Sequence, residues 1–131
     1  MLKTKALGSI LVVAGLVLCV GAGFAQSQQV PQTAQEYTNR AVALYDAGDY
    51  EKAMADLDRA ALLDPSLAAI YLARGNVYAA MNQFPQALAD YNRAIELDPK
   101  SGAVARRGDL YYRQGKLDAA LTDYTRALAI D

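Results

Sequence analysis

Residues 89–99 read ADYNRAIELDP, and the same phrase with small changes stands at Ala55–Pro65 as ADLDRAALLDP and at Thr122–Asp131 as TDYTRALAID. Pro65 and Pro99 are 34 residues apart, as are Asp64 and Asp98. Asp98 to Asp131, Gly75 to Gly108 and Ala87 to Ala120 are each 33 apart. The third copy is therefore one residue shorter, and the loss falls in the KSG loop after Pro99. Self-similarity near this period marks a stacked-repeat architecture, in which no unit buries its apolar face alone and each becomes its neighbour's core.

Each copy divides into two helical runs around a breaker: AGDY at 47–50, NQFP at 82–85 and QGKL at 114–117. Gly48 and Gly115 suit a left-handed turn after a helix, and Asn82 tolerates one. Asp49 is placed to cap the helix that follows it. Pro85 fits a first helical turn, where its missing N–H costs nothing. Pro65 and Pro99 close the second helices, with Ser66 and Ser101 near the next starts. Small residues recur where helices must approach closely: Ala41, Gly75 and Gly108 on the first helices, and Ala53, Ala87, Ala120, Ala60, Ala94 and Ala127 on the second. Tyr50, Phe84, Tyr78, Tyr91, Tyr111 and Tyr124 fill the space between them. The expected fold class is all-α, with three stacked helix-turn-helix units at 34–67, 68–100 and 101–131. Asp56 and Arg59, Asp90 and Arg93, and Asp123 and Arg126 recur at i, i+3 and are expected to form exposed helix pairs of about 0.2–0.5 kcal/mol each.

Eight positions recurring in register resemble the tetratricopeptide repeat. In the second copy they are Tyr71, Arg74, Gly75, Tyr78, Ala87, Tyr91, Ala94 and Pro99. The first copy has Tyr37, Arg40, Ala41, Leu44, Ala53, Leu57, Ala60 and Pro65, and the third Val104, Arg107, Gly108, Tyr111, Ala120, Tyr124 and Ala127. Arg40, Arg74 and Arg107 stand where the family often has leucine. The resemblance covers residues 34–131 and implies a right-handed solenoid.

The first 25 residues are different in kind. MLKTK carries two lysines, and residues 6–25 carry no charge. A short basic start, an apolar run and small residues at a cut site form the pattern of a secretory signal peptide. Cleavage after Ala25 uses Gly23 and Ala25; cleavage after Ala22 is the second candidate. The alternative is an uncleaved anchor, since 20 apolar residues are enough to span a bilayer. A lipoprotein signal at Cys19 is disfavoured by bulky Leu18 just before it. Gln26–Thr33 is polar, holds Pro31 and carries no helical stripe, so 26–33 is expected to be a flexible linker. The expected location is periplasmic or secreted through a bacterial route, or at the inner membrane if the anchor is kept.

Composition excludes most chemistry. The chain has no histidine, and its single cysteine, Cys19, lies in the segment that cleavage removes. A Ser–His or Cys–His catalytic pair and a zinc site of Cys and His are both ruled out in the processed chain. No glycine-rich phosphate loop follows a strand. Asp46, Asp49, Glu51, Asp56 and Asp58 sit on one helix pair but lack the density of an oxygen-ligand loop, and are expected to form a solvated face. Beyond Ala25 there are 14 acidic and 11 basic residues, too mixed a balance for nucleic acid or an anionic membrane surface. No enzyme activity, cofactor or metal is expected.

The resemblance implies a binding groove lined by the first helix of each unit. By position that gives Gln35, Thr38, Asn39, Val42, Tyr45 and Asp46, then Ala69, Leu72, Ala73, Asn76, Ala79 and Ala80, then Ala105, Arg106, Asp109, Tyr112 and Arg113. Of nine tyrosines, seven occupy packing positions; Tyr45 and Tyr112 do not, and are expected to point into the groove with Ala79 leaving space between them. Tyrosine is large, stiff and polar at its tip, which suits an interface. The candidate partner-binding residues are Asn39, Tyr45, Leu72, Asn76, Arg106, Asp109, Tyr112 and Arg113, and the expected partner is an extended peptide or a helix. Chaperone-binding members of the family hold an acidic C-terminal carboxylate with five Lys, Asn and Arg residues. The matching positions are Thr38, Val42, Ala73, Gly102 and Arg106; only Arg106 fits, so a clamp of that kind is not expected.

Leu121, Leu128 and Ile130 on the last helix have nothing in the sequence to cover them. Either a longer parent protein continues past Asp131, or this face packs on another chain, as in a homodimer. Three roles compete: an exported interaction scaffold, a membrane-tethered form of it, and the accessory front of a longer enzyme.

Overall fold

A computed structural model describes residues 30–130. The expected export segment at 1–25, with Cys19, and most of the expected linker lie outside the described residues. Six helices follow one another: α1 (Ala34–Asp46), α2 (Tyr50–Leu63), α3 (Ala68–Ala80), α4 (Phe84–Leu97), α5 (Ala103–Arg113) and α6 (Leu117–Ile130). Among the described residues there is no strand. Each odd helix packs antiparallel on the even helix after it, and each even helix packs on the next odd one, giving the expected stack of three units.

The breakers work as their chemistry requires. Gly48, Asn82 and Gly115 take φ of 80°, 58° and 74°. Their amides donate to Tyr45, Ala79 and Tyr112, and the next residues Asp49, Gln83 and Lys116 reach back to the carbonyls of Leu44, Tyr78 and Tyr111 at 2.9, 2.8 and 2.9 Å. This double hand-over satisfies the last carbonyls of each first helix. Asp49 accepts from the Lys52 amide, and Pro85 lies in the first turn of α4. Gly102, at φ 84°, opens α5 and lets the shorter third copy turn in less chain.

At the start of α1, Thr33 Oγ1 accepts from the Glu36 amide at 3.1 Å, while Glu36 Oε2 accepts from the amides of Gln32 and Thr33 at 2.7 and 3.2 Å. The Gln32 and Thr33 amides hold the Glu36 carboxyl below its ordinary value. Its contribution to stability is present above the unfolded carboxylate pKa and fades as pH falls through the folded one. Thr33→Ala is expected to lower stability by about 1 kcal/mol, measured by denaturant titration; an unchanged midpoint would show the box to be idle.

The core runs through the stack as two connected layers. Leu57, Ile70, Val77 and Val104 are buried in one and Leu110 in the other, with Ala53, Ala60, Ala87 and Ala94 fully enclosed between helices.

One expectation is corrected here. Asp56, Asp90 and Asp123 are not exposed partners of Arg59, Arg93 and Arg126: they are 6, 7 and 3% exposed, and each is forked by an arginine sixteen residues earlier. Arg40 grips both oxygens of Asp56 at 2.6 Å, Arg74 those of Asp90 at 2.8 and 3.0 Å, and Arg107 those of Asp123 at 2.7 Å. The Arg74 and Arg107 forks leave one nitrogen for the preceding unit, where it reaches Asp58 and Asn92. These three arginines sit where the repeat often has leucine, and the aspartate on the facing helix is the reason. An i, i+3 spacing marks neighbours on one helix; it cannot show that a helix faces another whose charge lies nearer.

Candidate functional site

The first helices α1, α3 and α5 line one side of the stack, and two adjoining cavities open on it. One, of about 230 Å³, is lined by Tyr45, Asn76, Ala79, Ala80, Tyr91, Arg106, Asp109, Leu110 and Arg113. The other, of about 170 Å³, is lined by Ala41, Val42, Tyr45, Asp46, Ala73, Asn76 and Arg106. Tyr45, Asn76 and Arg106 belong to both, so the two form one trough crossing all three units.

The walls follow from the repeat. Ala73, Ala79 and Ala80 keep α3 low in the middle, and Tyr45 stands at the α1 edge with its ring 5.7 Å from that of Tyr50. Asn76 and Asp109 occupy equivalent positions, and in both units a tyrosine of the second helix holds them from beneath. Tyr91 donates to Asn76 Oδ1 at 2.9 Å and Tyr124 to Asp109 Oδ1 at 2.7 Å. Burial pushes the Tyr91 phenol up to about 12, so it remains a donor through the neutral range. The bond to Asp109 likewise raises Tyr124. In the first unit the same two positions are Val42 and Leu57, which cannot form this bond. This position of the trough therefore changes from apolar Val42 on α1 to Asn76 on α3 and Asp109 on α5, while Asp46 adds a carboxylate at the α1 end.

With its oxygen engaged by Tyr91, the Asn76 amide is oriented to donate into the trough. Arg106 lies 3.7 Å from Asp109 Oδ2, too long for a hydrogen bond, so its donors stay available. Arg113 differs. It donates to the Ala79 carbonyl at 3.1 Å and Asn82 Oδ1 at 3.0 Å, and stacks over Phe84 at 4.9 Å. It lines the wall but serves mainly to tie α5 to the end of α3.

Of the candidate residues, Tyr45, Asn76, Arg106, Asp109 and Arg113 come together in the trough. Asn39, Leu72 and Tyr112 do not line it. Asn39 accepts from Gln35 on the exposed surface of α1. Leu72 packs against both core layers and borders a separate hollow beside Ser66 and Ser101. Tyr112 is 63% exposed, beyond the trough's edge. Position alone missed Tyr91, whose packing role conceals a hydroxyl that reaches the trough. Among the described residues no group of acidic side chains is placed to hold a metal, and no helix is long and apolar enough to cross a membrane. Asp56 and Asp58 of the loose acidic group are engaged by Arg40 and Arg74.

A stack of antiparallel helix pairs with a trough across its first helices defines a helical-repeat solenoid. Comparison with known families agrees: residues 41–82 match the pattern described as TPR repeat, and residues 68–101 and 103–131 match those described as tetratricopeptide repeat. Together these run from residue 41 to residue 131, and the chain belongs to the tetratricopeptide-repeat family. Among solved structures, the second TPR of Spaghetti (RPAP3) bound to the HSP90 peptide SRMEEVD is 29% identical, with a TM-score of 0.70 over 81% of this chain and 99% of that one. The first TPR domain of human RPAP3 is 25% identical, with a TM-score of 0.72 over 78% of this chain and 81% of that one. The N-terminal domain of stress-induced protein-1 from C. elegans is 26% identical, with a TM-score of 0.64 over 74% of this chain and 83% of that one. A search of curated proteins found no match to this chain.

Proposed function

We propose that this chain is a non-catalytic protein-interaction module that holds a peptide or a partner helix in the trough between α1, α3 and α5, and works as an exported scaffold. The observation that carries this is the joining of two cavities at Tyr45, Asn76 and Arg106. Tyr45 offers a flat apolar wall, Asn76 a donor for a main-chain carbonyl, and Arg106 a cation for one carboxylate. The solved relative that carries SRMEEVD supports a peptide as the occupant. The manner of holding differs, because Thr38, Val42, Ala73 and Gly102 provide none of the charges that grip a terminal carboxylate. The export reading rests on residues 1–25. The same uncharged run supports a tethered form in which it stays in the membrane.

A peptide array probed with the full chain tests the trough. Peptides captured by the native chain are expected to lose at least about tenfold in affinity to Tyr45→Ala and to Arg106→Glu, and nothing to Tyr112→Ala. Captured peptides indifferent to both trough substitutions would remove the assignment. SRMEEVD itself is expected to bind no tighter than about 1 mM. Tight SRMEEVD binding that Arg106→Glu abolishes would restore the clamp. For export, the intact mass of the product made in a bacterial host decides: Gln26–Asp131 in the soluble exported fraction supports it, and a product keeping Met1 in the membrane fraction supports the tether.

A further inference from the structure

Helix α5 starts late. α1 begins at Ala34, seven residues before its small packing residue Ala41, and α3 at Ala68, seven before Gly75; α5 begins at Ala103, five before Gly108. Ser101 and Gly102 stand where that first half-turn would be, and Gly102, at φ 84°, brings no side chain. Beside them lies a hollow of about 350 Å³, walled by Leu67, Leu72 and Leu97, with Ala69 leaving room on α3. Where the first two units meet, Gln35 corresponds to Ala69 and Leu67 to Ser101. Both are larger, and Leu67 packs against the core. The one-residue loss in the third copy thus goes with space between α3 and α5 that the first interval gives to side chains.

The polar groups on the rim are already engaged. Ser66 Oγ donates to Asp64 at 2.6 Å, Asp98 Oδ1 accepts from the Lys100 amide at 2.9 Å, and Ser101 Oγ accepts from the Ala103 amide at 3.4 Å. An acidic side chain placed here would meet the Asp98 carboxylate, with no cation among the lining residues. Three leucines around a concave space, with a rim bonded to itself, suit an apolar side chain.

The hollow continues the trough along α3. Leu72 lies next to Ala73, which lines the trough, and one helical turn of about 5.4 Å before Asn76, which lies at its centre with Arg106. Two residues of extended chain span about 6.6 Å and set both side chains on one face. A peptide whose carboxylate meets Arg106 therefore reaches the hollow with the side chain two positions away. We propose that this hollow is a second subsite of the trough, taking one large aliphatic side chain of an extended peptide two residues from the acidic residue held by Arg106. The proposal rests on the trough reading above, because one peptide fills both. It makes Ala69 and Leu72 residues that set specificity, and it assigns the acidic and apolar side chains to different places by the charge each finds there.

Fluorescence anisotropy of the full chain with a defined probe set tests this. The probes are labelled alanine–serine peptides with one central glutamate and a leucine placed in turn at each position before or after it. Leucine two residues from the glutamate, on one side of it, is expected to bind at least about tenfold tighter than the leucine-free peptide, and leucine next to the glutamate to gain nothing. Ala69→Leu fills the hollow from α3 and is expected to abolish that gain. Ser101→Leu fills it from the opposite wall with the residue the first interval uses, and is expected to do the same. Circular dichroism melts check that each variant keeps its fold. No gain, an equal gain at every position, a gain that survives both filled variants, or a lysine preferred to leucine would each overturn the subsite; the trough reading stands in those cases if Arg106→Glu still weakens the glutamate peptides. Probes indifferent to Arg106→Glu would remove the trough and the subsite together.

Discussion

Arg74→Leu is expected to destabilise the repeat stack by about 3–5 kcal/mol, although it restores the residue the repeat often carries at that position. The Arg74 side chain is 22% exposed, and Asp90 beneath it is 7% exposed. Both Asp90 oxygens are held by Arg74, so the substitution leaves a buried carboxylate without its cation. Two lesser contacts go with it: the bond to Asp58 in the preceding unit at 3.1 Å and the stacking over Tyr71 at 5.5 Å. Asp58 is exposed, so its share is under about 1 kcal/mol. In a domain of this size each kcal/mol moves the melting temperature by about 4–8 °C, so the expected fall exceeds about 12 °C. The decisive control is the double variant Arg74→Leu/Asp90→Leu. Removing both charges removes the unpaired carboxylate, and most of the lost stability is expected to return. A single variant within about 1 kcal/mol of the native chain, or a double variant no better than the single, would show that the pair does not carry the energy assigned to it.

That pair shows how far the sequence can be read. Pro65, Pro99 and the glycines set the register, so the all-α stack and the course of its helices were legible from spacing alone. Arg74 and Asp90 were visible too, as a departure from the repeat and a recurring aspartate, yet their connection was not. It depends on which face of α3 meets which face of α4, a relation between helices sixteen residues apart. The same reason governs the trough. Tyr45, Asn76, Arg106 and Asp109 follow from position on the first helices. Tyr91 belongs to a second helix, and only the packing angle brings its hydroxyl under Asn76. Tyr112 follows Tyr111 as Tyr45 follows Leu44, but among the described residues no first helix follows α5, and the ring is largely exposed. Thr33-x-x-Glu36 was a different omission: the capping spacing is local and legible, hidden only by the polar character of the linker before it.

Gly75→Ala is expected to destabilise the protein by about 1–3 kcal/mol, whereas Gly108→Ala at the equivalent position is expected to stay within about 1 kcal/mol of the native chain. Alanine favours a helix over glycine by about 1 kcal/mol at either place, so intrinsic propensity predicts a gain in both. Packing decides the difference. A Cβ on Gly75 would stand 2.6 and 2.7 Å from two carbons of the Tyr91 ring, and one on Gly108 would stand 2.9 and 3.0 Å from the Tyr124 ring. Tyr91 is 2% exposed and anchored through its hydroxyl to Asn76, so the ring has nowhere to go. Tyr124 is half-buried and can swing toward solvent at the cost of its bond to Asp109, which leaves the Asp123 Cβ at 3.3 Å, needing to give by only a few tenths of an ångström. The first unit supplies the internal control. There Ala41 takes the place of Gly75 and faces the region of Leu57, and both are buried without a tyrosine between them. Gly75→Ala/Tyr91→Leu therefore rebuilds in the second unit a pairing the chain already uses in its first, and is expected to recover most of the stability. It should do so while losing the phenol that orients Asn76, so stability and trough chemistry separate in one variant. Equal effects of the alanine substitution at Gly75 and Gly108, measured by urea titration, would place the cost in the backbone rather than in the ring.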